Sequence, residues 1–239
     1  MQNKVVDRKV CAIVGAGPDL GLSLAKRFGG EGFLIIFISR RAEARKGYVT
    51  VLRDEGMQAF AIAADPGDLA SLKSAFDQLK KQLGCPEVLV YNATTRGPRA
   101  VPSMLEPTQM VEDFTVNVVG ALFSAQQVIP DMRARRKGTI FFTAGGYGAH
   151  TELPFVDLAI GRAGVRVLTD SLAVELERSG IHVATVVVRG AMQRGGRFDP
   201  DRVAHVYWRM YNRDPGHQGR ELIYDETFNE DVRTVGLKR

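Results

Sequence analysis

The sequence predicts an α/β fold: a doubly wound parallel sheet with helices on both faces, three layers in αβα order. Three observations carry this. Short apolar or β-branched runs alternate with longer helical stretches along the chain. One of those runs, Phe33-Leu-Ile-Ile-Phe-Ile38, is apolar throughout, as a strand covered on both faces requires. A glycine-rich turn, Gly15 to Gly21, joins the first run to the first helical stretch, where doubly wound folds gather free backbone N–H groups.

Val10-Cys-Ala-Ile-Val14 reads as the first buried strand, and Leu22 to Phe28 places apolar residues at helical spacing. After the second strand, Arg41 to Glu55 is a polar, charged helix closed by Gly56. Gln58 to Ala63 is the third strand, and Leu69 to Leu83 the third helix, stopped by Gly84 and Pro86. Val88-Leu-Val-Tyr91 is the fourth strand. The loop from Asn92 to Pro107 is rich in Thr, Gly, Pro and Arg, and is long enough to be functional. One long helix from Thr108 to Arg136, bent late by Pro130, is expected next, then a fifth strand, Thr139-Ile-Phe-Phe142. A glycine-rich stretch, Ala144 to Ala149, leads into a helix over Phe155 to Arg178, and Ile181 to Val188 is the sixth strand. Beyond Gly190 the pattern weakens to an irregular segment, a helix near Asp201 to Tyr211 and a short strand at Glu221 to Tyr224. Met192, Phe198, Val203, Tyr207, Trp208 and Tyr211 in that region fit an apolar lid or core packing equally well. No repeat, linker or low-complexity tract appears, so one domain over residues 1–239 is expected.

The 239 residues are 45% hydrophobic and 25% charged, which excludes wholesale disorder and suffices for a core without staples. Cys11 and Cys85 are too few for a disulfide framework or a paired zinc site, and the histidines show no ligand spacing, so no metal is expected. No uncharged apolar stretch reaches the roughly 18 residues of a membrane span. Met1 to Lys9 is too polar for a secretory signal, and a reducing cytoplasm is the expected setting. The net charge of +5 and a pI near 9.3 raise the question of nucleic acid. The densest basic cluster (Arg133, Arg135, Arg136, Lys137) sits where cations complement a helix C-terminus, however, and no basic segment is interleaved with aromatics. Neither nucleic acid nor a membrane is expected as a partner.

The turn reads Val14-Gly15-Ala16-Gly17-Pro18-Asp19-Leu20-Gly21. Asp65 follows the third strand, Asn92-Ala93 the fourth, and Asn117 lies in Phe-Thr-Val-Asn-Val-Val-Gly on the next helix. In these motifs, in this order, the chain resembles the short-chain dehydrogenase/reductase family over nearly its whole length. The family's Thr-Gly-x-x-x-Gly-x-Gly is matched at Gly15 and Gly21, its Asp at Asp65, its Asn-Asn-Ala-Gly in part at Asn92-Ala93, and its helical Asn at Asn117. The resemblance implies a Rossmann-type fold and a nicotinamide dinucleotide. The turn (Gly15, Gly17, Asp19, Leu20, Gly21) would hold it together with Asp65, Asn92, Ala93 and Arg162.

Cofactor type is read at the end of the second strand, where an acid bonds the ribose 2′-OH of NAD and an arginine accommodates the 2′-phosphate of NADP. Here stand Ser39 and Arg40, with no acid before Glu43, so NADP(H) is favoured over NAD(H). Asp19 opposes binding altogether. It stands where the family has its second glycine; as an N-cap it would accept helix N–H groups, yet its charge lies where a pyrophosphate would sit. No cofactor at all is therefore the alternative.

In the family a Tyr gives the proton, a Lys four residues later lowers the Tyr pKa and holds the nicotinamide ribose, and a Ser orients the substrate. The resemblance puts Leu158, Arg162 and Gly145 at these positions, leaving Asn117 as the matching residue. Leucine has no proton to give. Arg162 can bond ribose hydroxyls but relays protons poorly. Tyr147, in the loop after the fifth strand, is the leading substitute donor, with His150 and Asp157 as weaker ones. Asp157 is expected on a different helix face from Leu158.

Three functions follow. The first is an NADP-dependent oxidoreductase acting on an unidentified carbonyl or hydroxyl substrate, with weak or displaced catalysis. The second is a non-catalytic dinucleotide sensor. The third is a pseudoenzyme subunit paired with an active relative. Family members usually pair through the two long helices, so a homodimer or homotetramer is expected, or a hetero-oligomer with an active member.

Overall fold

A computed structural model describes residues 9–145, 155–214, 219–225 and 227. Seven strands form one parallel sheet: β1 (Val10–Val14), β2 (Leu34–Ser39), β3 (Ala59–Ala63), β4 (Val88–Tyr91), β5 (Gly138–Gly145), β6 (Ile181–Val188) and β7 (Glu221–Tyr224). Their order is β3-β2-β1-β4-β5-β6-β7, so the chain winds outward from β1 to β3 and then crosses to β4. Val14 pairs with both Ile38 and Tyr91, which brings the carboxyl ends of β1, β2 and β4 level at that crossing.

Strand alternation sorts the side chains into two cores. Val10, Ala12 and Val14 face α3 (Leu69–Leu83), α5 (Gly120–Ala134) and α6 (Val156–Leu176), where Leu72, Phe76, Val128 and Leu172 pack. Cys11 and Ile13 face α1 (Leu20–Gly29), α2 (Ala42–Asp54) and α7 (Pro200–Tyr211), among Leu24, Phe28, Val203 and Tyr207. The aromatic residues expected as lid or core belong to this second core. Trp208 stacks on Tyr211, and both meet Phe28 and Phe33 edge-on. None of the helices among the described residues is long and apolar enough to cross a membrane.

Several boundaries shift by a residue or two from expectation, and three departures bear on the site. Helix α1 starts at Leu20, two residues early, and β5 runs on to Gly145 because it pairs with β6 along its full length. The single helix expected over Thr108–Arg136 is two, α4 (Pro107–Phe114) and α5, joined by a π-helical turn, Thr115–Val119. The interruption lies at this turn and not at Pro130, which α5 accommodates on its way to Ala134. Such turns carry an extra residue, and their carbonyls need partners from outside the helix. The buried Tyr91 hydroxyl supplies one, donating to Val116 O at 2.5 Å. The basic cluster behind α5 bonds within the chain: Arg135 donates to the carbonyls of Cys85, Pro86 and Lys137, and Arg133 pairs with Glu175.

Candidate active site

Open α/β sheets bind ligands beyond the carboxyl ends of their strands, at the point where strand order reverses. Here that point opens on two adjoining cavities. One, about 620 Å³, lies over Gly21, Gly145, Leu158, Arg162 and Met192; the other, about 460 Å³, lies over Gly15, Ser39, Arg40, Asp65 and Ala93. Gly17, Asn92 and Thr94 line both, so the two form one trough. Each volume suits a small ligand or half of a long one.

Glycine is required in the turn for separate reasons. Gly15 has φ +80°, and a Cβ there would overlap the Ala93 backbone and stand 2.6 Å from Ala93 Cβ. A Cβ at Gly21 would stand 2.8 Å from Ala16 Cα, so its absence lets α1 close on the turn. At Gly17 nothing lies within 4 Å of a Cβ position, which leaves the backbone open to the trough. Asn92 braces the turn: its Nδ2 donates to Gly15 O at 3.0 Å, and its backbone N to Val14 O at 2.8 Å. Asp19 occupies the N-cap position with ψ −105°, outside the extended range that aims a capping side chain at the helix N–H groups. The expected cap hydrogen bond is absent, and the exposed carboxylate lines the larger cavity.

In the smaller cavity, Ser39 is buried with its Oγ unpartnered among the described residues, beside exposed Arg40. Asp65 accepts from Gly67 N at 2.9 Å, so its carboxylate also shapes the turn into α3. In the larger one, Leu158 and Arg162 lie one helical turn apart on α6, above Gly145 and Thr143. Arg162 donates through one terminal nitrogen to Thr143 O, while its Nε is buried without a partner among the described residues. Burial lowers its pKa to about 10, which keeps the guanidinium charged at neutral pH. Thr143 Oγ1 shares a 2.7 Å hydrogen bond with the fully buried Tyr207 hydroxyl, whose pKa is pushed up by burial.

Asn117 sits on the π-helical turn and is spent on the loop after β4. Its Oδ1 accepts from Thr95 N at 2.9 Å and Thr94 Oγ1 at 3.1 Å, and its Nδ2 donates to Thr95 O at 2.9 Å. Gly161 makes room for it, since a Cβ there would stand 3.0 Å from Asn117 Nδ2. Asp157 turns away from Leu158, as expected, and accepts from Gly97 N at 2.8 Å. It meets a second buried carboxyl, Asp113 of α4, whose pKa is raised by burial and by Asp157. Tyr147, His150 and His217 lie outside the described residues. Among the described residues no Tyr, His, Cys or Lys lines the larger cavity. Both thiols are pushed up by burial, Cys85 to about 11, and so are poor nucleophiles at neutral pH.

Sequence reasoning missed Thr143, the bond Tyr207 makes to it, Asp113 and the Thr94–Thr95 clasp. Thr143 was reachable from the two-residue period that puts it on the same strand face as Gly145. The other three depend on tertiary contacts with no local signal.

A doubly wound sheet with a glycine turn at its switch point defines a Rossmann-type fold. The chain belongs to the short-chain dehydrogenase family, whose model matches residues 9–193. It is 30% identical to oxidoreductase UcpA of Escherichia coli (strain K12) over 181 residues, covering 74% of this chain and 67% of that protein. It is 27% identical to 3-oxoacyl-[acyl-carrier-protein] reductase FabG of Staphylococcus aureus over 179 residues, covering 74% and 72%. A metagenomic short-chain oxidoreductase solved in complex with NADP superposes with a TM-score of 0.85 at 19% identity, covering 92% and 98% of the two chains. At that identity the likeness concerns the fold.

Proposed function

We propose that the protein binds NADP(H) in preference to NAD(H) along the trough and acts as an oxidoreductase on an unidentified carbonyl or hydroxyl compound, with proton transfer weak or displaced. The carrying observation is the two-cavity trough, with open Gly17 at its waist and the Ser39–Arg40 pair at one end. The residues present fit such a cofactor: Ser39 Oγ is an unpartnered buried hydroxyl, and Arg162 Nε an unpartnered buried donor. Gly15, Gly17, Leu20 and Gly21 would present backbone to the pyrophosphate, Ser39 and Arg40 would take the 2′-phosphate, and Asp65, Asn92 and Ala93 would flank the adenosine half. Arg162 would hold the nicotinamide ribose. When bound, the nicotinamide supplies or accepts the hydride. The Asp19 carboxylate opposes this by about 1–4 kcal/mol if it stays within a few ångströms of the pyrophosphate.

Leu158 denies the site the general acid, typically worth 10²- to 10⁴-fold. Tyr147 is the candidate that would restore it, and Asn117 positions the loop at Thr94–Thr95. The NADP in the metagenomic oxidoreductase and in gluconate 5-dehydrogenase from Burkholderia cenocepacia supports the cofactor reading. The second reading, a dinucleotide sensor or a pseudoenzyme subunit, is favoured by Leu158 and Asp19 in the same cavity. Either form would pair through α4 and α6, where Val111, Ile160, Val167 and Val174 are exposed, and would work in the cytoplasm.

The test is NADPH consumption with a panel of ketones and aldehydes. The oxidoreductase reading expects measurable turnover that Tyr147→Phe reduces and that Leu158→Tyr combined with Arg162→Lys raises at least tenfold. Saturable cofactor binding with no turnover in any variant selects the second reading.

A further inference from the structure

The guanidinium of Arg162 is a buried positive charge with no negative partner among the described residues. One terminal nitrogen, Nη1, donates to Thr143 O, and Thr143 is itself fixed by the 2.7 Å bond between its Oγ1 and the Tyr207 hydroxyl. The opposite edge, Nε and Nη2, makes no hydrogen bond with any described residue, and Nε is buried. Burial lowers the pKa of Arg162 to about 10, and the group that works against this is Tyr207, not a carboxylate. The side chain therefore stays charged at neutral pH in surroundings that do not neutralise it.

The rest of the larger cavity does not supply the missing charge. Asp19 is the one acid among its described lining residues, and it makes no ion pair with Arg162. It lies on the turn after β1, with β4 between that strand and β5, over which Arg162 sits. Arg189, the second guanidinium of the lining, already has the Asp225 carboxylate at 3.9 Å, which leaves Arg162 as the uncompensated charge. Leu158, Val188, Ala191 and Met192 give the cavity apolar walls.

An unpaired charge is costly to bury, and a ligand that brings the opposite charge offsets that cost. A ribose hydroxyl is neutral, so it satisfies hydrogen bonds of Arg162 without matching its charge. A pyrophosphate seated at the glycine turn after β1 lies two strand spacings from β5, roughly 10 Å away. The free Nε–Nη2 edge offers two parallel N–H groups, the fork that a carboxylate accepts in bidentate fashion, and the remaining N–H groups stay available to a ribose. We propose that the larger cavity takes a carboxylic acid with a short apolar body, its carboxylate held on the Nε–Nη2 edge of Arg162. Given the oxidoreductase reading, on which this step rests, the substrate is an oxo acid or a hydroxy acid; the anion site itself needs only the cavity.

The probes are pentanoate and its neutral counterpart pentanamide, titrated by calorimetry into the full chain with and without NADPH. The expected result is saturable binding of pentanoate, at least tenfold tighter than of pentanamide, and retained when NADPH is present. Arg162→Met should weaken pentanoate at least tenfold and leave pentanamide unchanged, and Arg162→Lys should restore part of the loss. Circular dichroism shows whether the variants are folded, and the comparison of acid with amide needs no variant. Equal binding of the two, no binding of pentanoate, or binding that a folded Arg162→Met variant leaves intact overturns the proposal. So does competition between pentanoate and NADPH, which would give the Arg162 charge to the cofactor. Pentanoate binding of the expected kind by a protein that binds no NADPH upholds the anion site and overturns the oxidoreductase reading, and NADPH binding without pentanoate binding does the reverse.

Discussion

Replacing Asp113 by asparagine should stabilise the fold at neutral and alkaline pH and leave it nearly unchanged at pH 3. Asp113 and Asp157 are 1% and 2% exposed, they meet where α4 packs on α6, and both lie against Gly97. Two ionised carboxylates about 4 Å apart repel by about 4 kcal/mol at an effective dielectric of 20, so ionising Asp113 beside Asp157 is disfavoured. Burial and Asp157 raise the folded-state pKa of Asp113 above the usual carboxylate value. Between the unfolded and the raised folded values, the native state holds more of this proton than the unfolded chain does. This contribution is fully present below the unfolded pKa near 4 and is lost as pH rises through the raised folded value. Asparagine keeps a donor toward Asp157 without that penalty, and the gain at pH 8 should be about 1–3 kcal/mol, or roughly 2–10 °C in Tm. His182, whose pKa is lowered by burial, adds a slope of the opposite sign at acid pH, but equally in both proteins. The assay is denaturant unfolding at pH steps from 3 to 9. Parallel curves for the two proteins, or a less stable variant at pH 8, would refute the raised Asp113 pKa as the cause.

Two further substitutions test the frame of the trough. Gly15→Ala forces a methyl into the Ala93 backbone at φ +80°, and should cost at least about 2–3 kcal/mol in urea unfolding as well as cofactor binding; a loss under 0.5 kcal/mol would mean the turn moves freely. Asn117→Ala removes three hydrogen bonds and leaves Thr95 N and O without their partner, for about 2–4 kcal/mol and faster amide exchange at Thr95, whereas unchanged exchange would show that the clasp does not hold the loop.

Much of the fold was legible because its signals are local. Phe33 to Ile38 reads as buried on both faces from composition alone, and Gly56 and Gly84, both at positive φ, close the helices the sequence ends there. The break at Thr115–Val119 was not legible, since Val-Asn-Val-Val is as compatible with a continuous helix. What selects the π-helical turn is Tyr91 OH meeting Val116 O, and Asn117 clasping Thr94 and Thr95 in the loop after β4. At the site, the glycines and Ser39–Arg40 were found by their place in the strand–turn–helix order. Asp19 shows the limit of such reading: its identity fixed a charge at the turn, but only the backbone angle shows that the carboxylate does not cap α1. The Asp113–Asp157 pair lies in two helices 44 positions apart, and nothing local marks either residue as buried.

The most direct test of the account is parallel titration of the protein with NADPH and NADH by calorimetry. Saturable binding of NADPH at least tenfold tighter than NADH, with the preference lost in Arg40→Ala and both affinities raised in Asp19→Gly, is the predicted result. Binding of neither, in the native protein and in Asp19→Gly alike, would contradict it.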